Sequence, residues 1–412
     1  MERRSRVVSR IAHTTCVQAP RAMPAGTWWR ELPDGFAGEP LDFDLARVDR
    51  LRVGGTAALD VLVRTSAAAS IALLALPIGY NPRALKAALG DRSFYEEMAL
   101  SADPGRFFTP PTEHAPVRVR RARPAGFKPP HGVCESLKFE STFVPRNPRV
   151  REGYLRHGRN RFAHVQYWRH LHGPRPTIVA IHGFGAEMYA LNQWFMAMPW
   201  FYERLGFDVA LFNLPFHGRR QTRFSPFSGH GFFAGGPARI NEAFAQAVHD
   251  FRSLCAYLRE RRGVEHIGVS GVSLGGHTTA LLAACEPSLA FAIPNVPVVS
   301  IADIILEWEP LGAIMRAGLK VLGLSITDAR RLLAVSSPLT YAPRLPRERL
   351  MVIGGVGDRM APPKHSRILW DHWGRPRLHW FPGGHILHLD RGAYLREIER
   401  FVRDLGFGGE AR

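Results

Sequence analysis

From Pro176 onward the chain alternates short apolar runs with helix patterns, and this alternation constrains the fold more than any other feature. The helix patterns include a long one at Ile240–Arg261 and a final one at Ala393–Leu405. Strands that alternate with helices imply βαβ crossovers, which predicts an α/β fold with a mostly parallel central sheet flanked by helices. The predicted strands are Thr177–Ile181, Asp208–Asn213, Ile267–Ser270, Ala290–Val296, Leu350–Gly354 and Leu378–Phe381.

Two earlier runs predict an antiparallel edge of the same sheet. Ser136–Val144 and Phe162–Trp168 alternate apolar and polar residues, as a half-buried strand does. The segment Arg146–Asn160 between them reads as a connection.

The motif Gly271-Val272-Ser273-Leu274-Gly275 lies directly after a predicted strand and directly before the helix pattern HTTALLAAC. This context is that of a nucleophile elbow, a sharp strand-to-helix turn that projects a serine above the sheet. The turn needs small neighbours, which glycines 271 and 275 supply. A glycine-rich turn with an idle serine is the alternative. We interpret Ser273 as the nucleophile.

A serine nucleophile needs a base and an acid that orients the base, and in this fold they follow the serine in the order acid, then histidine. Asp358 follows a predicted strand in a loop closed by Pro362 and Pro363. His385 follows the next predicted strand, in PGGHILHLD. Both therefore lie at carboxyl ends of strands, where α/β active sites collect.

Other residues compete for these two roles. His388 lies three residues after His385 and close to Asp390, but we place it at the start of the last helical region. Asp371 lies in a segment that reads as helix, and Asp303 begins the insertion described below.

The tetrahedral intermediate of acyl transfer also needs preorganised donors for its oxyanion. One candidate is the backbone N–H of Leu274, the residue after the nucleophile. The second should come from the loop His182-Gly183-Phe184-Gly185, where we choose Phe184 N–H, with Gly183 as the alternative. The alternative interpretation is that this loop is an ordinary turn with no catalytic role.

Other polar residues are not needed for this chemistry. Arg219 or Arg220 in LPFHGRR could contact an anionic substrate group, although a structural role for that loop is favoured. We interpret His277 as packed or capping, and assign no catalytic role to His217 and His230. Histidines and carboxylates show no metal-ligand spacing, and the glycine pairs lack phosphate-binding spacing, so we expect no metal and no cofactor.

The predicted domain organisation is an N-terminal helical extension, 1–112, followed by an α/β domain, 113–412. Within the latter, residues 301–345 read as several helices between two strands. An insertion above strand ends is well placed to be a lid, and an elongated crossover is the alternative.

Composition bears on partners and location. The formal charge is +18, but only five of the 54 Lys and Arg residues are Lys and no basic run stands out, so we expect no nucleic-acid partner. The four cysteines show no metal or CxxC spacing, and the Arg-rich start lacks the apolar run of a secretory signal. The apolar segment Ala67–Tyr80 is short for a membrane span, and a buried helix is favoured over one on a membrane surface. We expect a cytoplasmic protein, with membrane association as the alternative.

With HGFG, GVSLGG, GVGD and PGGH in this order, the region from about Ser136 to Leu405 resembles the α/β-hydrolase superfamily. More narrowly, FNLPFHGRR, GVSGVSLGGH and PGGHI resemble the alpha/beta-hydrolase domain-containing protein 18 family. That narrower resemblance implies acyl-ester or lipid substrates. The expected function is ester hydrolysis through an acyl-enzyme on a small-molecule acyl substrate, and we draw no expectation about the oligomeric state. The alternatives are an acyltransferase or peptidase with the same three residues, or a non-catalytic binding protein of the same fold.

Overall fold

The computed structural model describes residues 27–38, 41–75, 89–124, 126–185 and 189–408. Within this part of the chain one nine-stranded sheet runs through the molecule in the order β1-β2-β3-β5-β4-β6-β7-β8-β9. The pairs β1/β2, β2/β3 and β3/β5 are antiparallel, and all other pairs are parallel. The strands are β1 Arg118–Arg121, β2 Gly132–Glu140, β3 Phe162–His170, β4 Thr177–Ile181, β5 Asp208–Phe212, β6 Ile267–Val272, β7 Phe291–Asn295, β8 Met351–Gly355 and β9 Arg377–Phe381.

Helices cover both faces of this sheet. In chain order they are α1 Trp28–Glu31, α2 Arg47–Ser70, α3 Arg92–Leu100, α4 Pro104–Phe107, α5 Pro148–Leu155, α6 Tyr189–Phe195, α7 Met198–Glu203, α8 His230–Phe233, α9 Gly236–Arg262, α10 Leu274–Cys285, α11 Ile301–Glu307, α12 Leu311–Val321, α13 Ile326–Leu333, α14 Pro363–His372 and α15 Arg391–Asp404. A π-helical turn, Ile71–Ala75, continues α2.

The predicted fold class is confirmed: the sheet is mostly parallel and has helices on both faces. Every residue of β4, β5, β7 and β8 is buried, because a strand covered on both faces meets apolar neighbours on either side. The predicted antiparallel strands are present as β2 and β3, but the sheet edge is β1, which the sequence analysis did not predict.

The described residues before 112 share the core of the α/β domain. Trp28 and Trp29 are fully buried in the same hydrophobic cluster as the central strands β4 and β6. The indole N–H of Trp28 donates to Thr340 Oγ1 at 2.9 Å. The domain boundary at residue 112 stays a prediction, and the described segment on its N-terminal side packs as part of one body.

Helix α2 lies across the surface and buries only a narrow stripe. Its buried residues are Val53, Thr56, Asp60 and Ala68, whereas Leu73 and Leu74 are 75% and 56% exposed. The prediction of a buried helix at Ala67–Tyr80 is therefore wrong for most of residues 67–74, of which Ala68 alone is buried, and residues 76–80 lie outside the described part. Within the described chain, Arg47–Leu74 is the one helix long and apolar enough to cross a membrane by length and composition.

The segment 301–345 contains helices α11 to α13, as predicted, between β7 and β8. A buried ion pair holds it together, since Arg330 Nη2 lies 2.7 Å from Asp303 Oδ1. The same guanidinium donates from Nη1 to the carbonyl of Leu32 at 2.5 Å. The insertion is thus tied to the N-terminal segment, and its role as a lid stays a prediction.

Candidate active site

Ser273 lies between β6 and α10 and has the backbone geometry of a nucleophile elbow. Its φ is 58° and its ψ is −114°, a combination that residues with a side chain rarely adopt. A Cβ at Gly275 would lie 2.1 Å from the carbonyl oxygen of Ile181, and one at Gly271 would lie 2.2 Å from that of Gly275. The two glycines are therefore required by close backbone approach, as the motif indicated.

Asp358 and His385 lie on the loops after β8 and β9, at the same edge of the sheet as Ser273. His385 Nδ1 is 2.7 Å from Asp358 Oδ2. The other oxygen, Asp358 Oδ1, accepts from the backbone N–H groups of Met360 at 2.9 Å and Ala361 at 2.7 Å. Asp358 is fully buried and His385 nearly so, so the carboxylate is held in place on both sides.

This pairing favours a charged imidazole. Burial on its own lowers the pKa of His385, but the negative charges of Asp358 and Asp60 raise it above its usual value. Among the described residues no hydrogen bond joins Ser273 to His385. Catalytic hydrogen bonds of this kind often tighten only in the substrate complex.

The competing histidine, His388, is placed differently. Its Nε2 lies 3.2 Å from the carbonyl oxygen of His385, to which it donates, and its ring centroid is 4.2 Å from that of Phe381. Burial, His385 and Arg391 lower its pKa to about 3. His388 is therefore a packed neutral side chain, and its ring nitrogens have no carboxylate partner among the described residues.

The competing carboxylates are engaged elsewhere. Asp303 pairs with the buried Arg330, and Asp371 lies in α14 and accepts from Arg367 and Arg375. The structure therefore brings His385 together with Asp358 and leaves both rivals in ion pairs. The catalytic roles of Ser273, Asp358 and His385 stay predictions.

The loop 182–185 lies beside the elbow. A Cβ at Gly183 would be 3.4 Å from Ser273 Cβ. His182 Nε2 accepts from the backbone N–H of Leu214 at 3.2 Å, so its Nδ1 carries the proton and donates to Gly183 O at 2.8 Å. Because that peptide is trans, the N–H of Phe184 points away from the imidazole.

Leu274, the first residue of α10, completes the predicted oxyanion group. The first N–H groups of a helix have no acceptor within the helix and are free to bind an anion. The oxyanion roles of Leu274, Phe184 and Gly183 stay predictions, and His182, named above only as part of the loop motif, is a structural support of that loop.

Asp60 of α2 reaches this site from the N-terminal segment, and the sequence analysis missed it. It is fully buried, and its carboxylate accepts from the backbone N–H groups of His385, Ile386 and Arg359. The only local signal was a lone carboxylate in the apolar stretch TAALDVLV. A single charge on the buried stripe of an apolar helix indicates a specific partner, which the sequence could not identify.

A basic pocket lies at the carboxyl end of β5, beside the loop that follows β4. Arg219 is exposed at its rim, whereas Arg220 is fully buried and its Nη2 lies 2.6 Å from Asp250 Oδ2. Of the two arginines in LPFHGRR, Arg220 is therefore structural, and contact of Arg219 with an anionic group stays a prediction. The described lining residues are Lys138, Arg159, His164, Tyr189, Gly218, Arg219 and Gln221.

Two further histidines have ring nitrogens close to backbone carbonyl groups. His277 is packed inside α10, with both ring nitrogens within 2.8 Å of backbone carbonyls, and His217 Nδ1 lies 2.8 Å from Pro215 O. In the described ranges no three His, Cys, Asp or Glu side chains are grouped as a metal site would require.

Comparisons with known proteins agree with this architecture. A family model for the alpha/beta hydrolase fold matches residues 176–293. Two proteins of Mycobacterium tuberculosis, the uncharacterized proteins MT2702 and Rv2627c, are each 29% identical to the chain over 326 residues, which is 75% of this chain and 71% of theirs.

Two solved structures, both acetyl xylan esterases, share the fold at low sequence identity. Acetyl xylan esterase 1 from Thermoanaerobacterium sp. JW/SL YS485 is 15% identical, with a TM-score of 0.51 over 76% of this chain and 93% of that one. The enzyme from Paenibacillus sp. R4 is 14% identical, with the same TM-score and the same coverage of both chains. The chain therefore has the α/β-hydrolase fold, and the family model supports its place in the α/β-hydrolase superfamily.

Proposed function

We propose that this chain is a serine hydrolase that cleaves a carboxylic ester or a related acyl substrate through an acyl-enzyme. One observation carries the proposal. A serine held at positive φ between strand and helix shares a sheet edge with a histidine whose Nδ1 is paired to a buried aspartate. Nucleophile, base and orienting acid in this arrangement are what acyl transfer by serine requires.

In the proposed reaction Ser273 Oγ attacks the carbonyl carbon while His385 Nε2 takes its proton. Asp358 accepts from Nδ1–H, which keeps Nε2 free as the base and stabilises the imidazolium that forms. The tetrahedral oxyanion is held by the N–H groups of Leu274 and Phe184.

The second half of the reaction restores the enzyme. His385 Nε2–H protonates the leaving alcohol as the C–O bond breaks, which leaves the acyl group on Ser273. Water then attacks the acyl carbon and gives a proton to Nε2. As the bond between the acyl carbon and Ser273 Oγ breaks, Nε2–H passes that proton to Oγ, which releases the carboxylic acid and restores the free serine.

An apolar acyl group is favoured by the surroundings of the base loop. Helix α6 follows the loop 182–185, and its Phe195 ring lies 5.1 Å from that of His388. Leu191 and Trp194 of this helix are 56% and 61% exposed, so they offer apolar surface beside the site. An ester is the first substrate class to test because an alcohol leaves more readily than an amine. The narrower resemblance to the alpha/beta-hydrolase domain-containing protein 18 family stays a prediction.

Labelling with a fluorophosphonate, followed by intact mass measurement, tests the proposal. We expect one adduct per wild-type chain, no adduct on Ser273→Ala, and strongly reduced labelling of His385→Ala. His388→Ala is the matched control, and we expect it to label because its Nε2 donates to the carbonyl oxygen of His385 and the carboxylate of Asp358 is paired with the His385 ring instead. A folded wild type that never labels would contradict the proposal and favour a non-catalytic binding protein. Product analysis then separates the candidate activities. Hydrolysis of an ester substrate indicates a hydrolase, cleavage of an amide substrate indicates a peptidase, and transfer of the acyl group to an added alcohol indicates an acyltransferase.

A further inference from the structure

Asp60 is bonded to two loops that are distant in sequence from it and from each other. Its Oδ2 accepts from His385 N at 2.5 Å and from Arg359 N at 3.1 Å, and its Oδ1 accepts from Ile386 N at 3.1 Å. One carboxylate on α2 thus connects the loop that carries the candidate base with the loop that carries the candidate acid.

Both loops are shaped to fit against α2. A Cβ at Gly384 would lie 2.5 Å from Asp60 Oδ2, and a Cβ at Gly357 would lie 2.7 Å from Val53 Cγ1. Gly384 precedes His385 and Gly357 precedes Asp358. Each candidate catalytic residue therefore follows a glycine that has no room for a side chain because α2 is there.

The electrostatics link Asp60 to the base. Burial and the nearby Asp358 raise the pKa of Asp60, while its three N–H donors favour the ionised form, since a carboxylate can only accept. The charged and titratable groups that face His385 are Asp358, Asp60 and His388. Arg64 is a positive residue in contact with the acid loop, since its Nη1 donates to Arg359 O at 2.7 Å.

We propose that Asp60 is a positioning residue of the Ser273 site. Acting through backbone N–H groups, it holds the loops of His385 and Asp358 in register, so that α2 is part of the active site rather than a separate extension. The inference rests on the proposed function, because the residues it positions are those of the proposed triad.

The first test is the rate of fluorophosphonate labelling of Asp60→Asn as a function of pH. An asparagine keeps the size but loses the charge and one acceptor, so we expect labelling roughly 10- to 100-fold slower than wild type. Loss of the negative charge should also lower the pKa of His385 and move the acidic limb of the pH profile to lower pH. A buried group with only a structural role would not move that limb.

The matched control is Asp49→Asn, since Asp49 lies in the first turn of the same helix and pairs at the surface with Arg52 Nη1 at 3.3 Å. We expect Asp49→Asn to label like wild type. A folded Asp60→Asn with the wild-type rate and pH profile overturns the inference while leaving the proposed function intact. A wild type that does not label at Ser273 overturns the proposed function itself.

If Asp60→Asn does not fold, a second variant tests whether the contact between Asp60 and the base loop affects labelling. Gly384→Ala keeps every polar group but forces the base loop away from Asp60, and we expect it to slow labelling by a similar factor. Gly153→Ala is its control, because a Cβ at Gly153 of α5 would meet nothing within 4 Å. Wild-type labelling by folded Gly384→Ala would contradict the inference.

Discussion

His385 contacts two carboxylates, which act on different parts of the residue. Asp358 contacts the ring at Nδ1, and Asp60 contacts the backbone N–H. The first contact selects the tautomer with a free Nε2, and the second fixes where the ring is. Loss of either contact should therefore impair the base by a different route.

Asp358→Asn tests the ring contact. The amide can still accept from Met360 N and Ala361 N through its oxygen, but its NH₂ then faces Nδ1 and favours the tautomer with the proton on Nε2. We expect turnover to fall by roughly four orders of magnitude with the fold retained. The measurement is turnover of a simple ester, with circular dichroism as the check of folding.

Asp371→Asn and Asp303→Asn are the comparisons for this variant. Asp371 lies on α14, where its partners are arginines, so its replacement should leave turnover close to wild type. Asp303→Asn should lower stability because it leaves Arg330 buried without its carboxylate. Full turnover by Asp358→Asn would show that another residue is the acid.

Among single residues, the sequence predicts those that lie directly after a strand, because the strand itself can be recognised. Ser273, Asp358 and His385 could be named because each follows an apolar run within a few residues, and carboxyl ends of parallel strands share one edge. Asp60 could not, because its partners lie about three hundred residues further along the chain and no periodicity links them. His182 was visible only as part of the loop motif.

Among the elements, buried strands were predicted within a few residues because a continuous apolar run marks them. Strand β1 was missed for a physical reason. Its sequence RVRR is exposed at every residue, so it pairs with β2 through the backbone alone and shows no apolar pattern. The burial of α2 was misjudged because apolar composition does not tell which neighbour covers a helix face.

Helix α2 also carries the prediction about lipid surfaces. Leu62 of α2 and Leu73 of the π-helical turn that continues it are 64% and 75% exposed, so both offer apolar surface outside the core. With a net charge of +18, we expect the chain to bind vesicles of anionic lipid in a flotation assay. Because Asp60 ties α2 to the loops of His385 and Asp358, we expect the helix to lie on the surface rather than cross it.

A double variant, Leu62→Asp with Leu73→Asp, should weaken this binding at least ten-fold, since each buried leucine contributes roughly 1.5–3 kcal/mol. Leu171→Asp is the control, because Leu171 is 54% exposed in the turn after β3 and lies away from α2. A wild-type chain that stays with the soluble fraction at low salt contradicts the prediction.

Over the whole molecule, the described residues before 112 pack against the α/β region, while the predicted boundary at residue 112 stays a prediction. The composition and pattern of residues 1–112 differ from those of the α/β region, which is why a separate extension was predicted. Three side-chain contacts join the two parts: Trp28 donates to Thr340, Arg330 donates to the carbonyl of Leu32, and Asp60 accepts from the loops of His385 and Asp358. We therefore expect the chain to unfold as a single unit.

That single unit should be sensitive to acid because its interior holds neutral histidines. Burial lowers the pKa of His182 and His365 to about 4, and that of His388 to about 3. His182 and His365 each accept a backbone N–H, so protonation would also break a hydrogen bond. Burial raises the pKa of Glu242 and Glu307 to about 7. These two carboxyl groups therefore favour the folded state as the pH falls, which opposes the effect of the histidines.

Since these folded-state histidine pKa values lie below the ordinary value, their stabilisation is present above about pH 6.5 and is lost as the pH falls toward 4. Each fully buried histidine changes the free energy of unfolding by up to roughly 1.4 kcal/mol per pH unit in that window. Among the described residues ten histidines have a lowered pKa, whereas four carboxyl or imidazole groups, Glu242, Glu307, Asp60 and His385, have a raised one, so we expect the urea midpoint to fall between pH 7 and pH 5. His388→Phe should make this dependence shallower, because phenylalanine fits the aromatic cluster of Phe195, Phe381 and Tyr394 without titrating. His172→Gln, at an exposed position, should leave the pH dependence unchanged. A midpoint that is equal or higher at pH 5 would show that the carboxyl groups dominate the proton balance of folding.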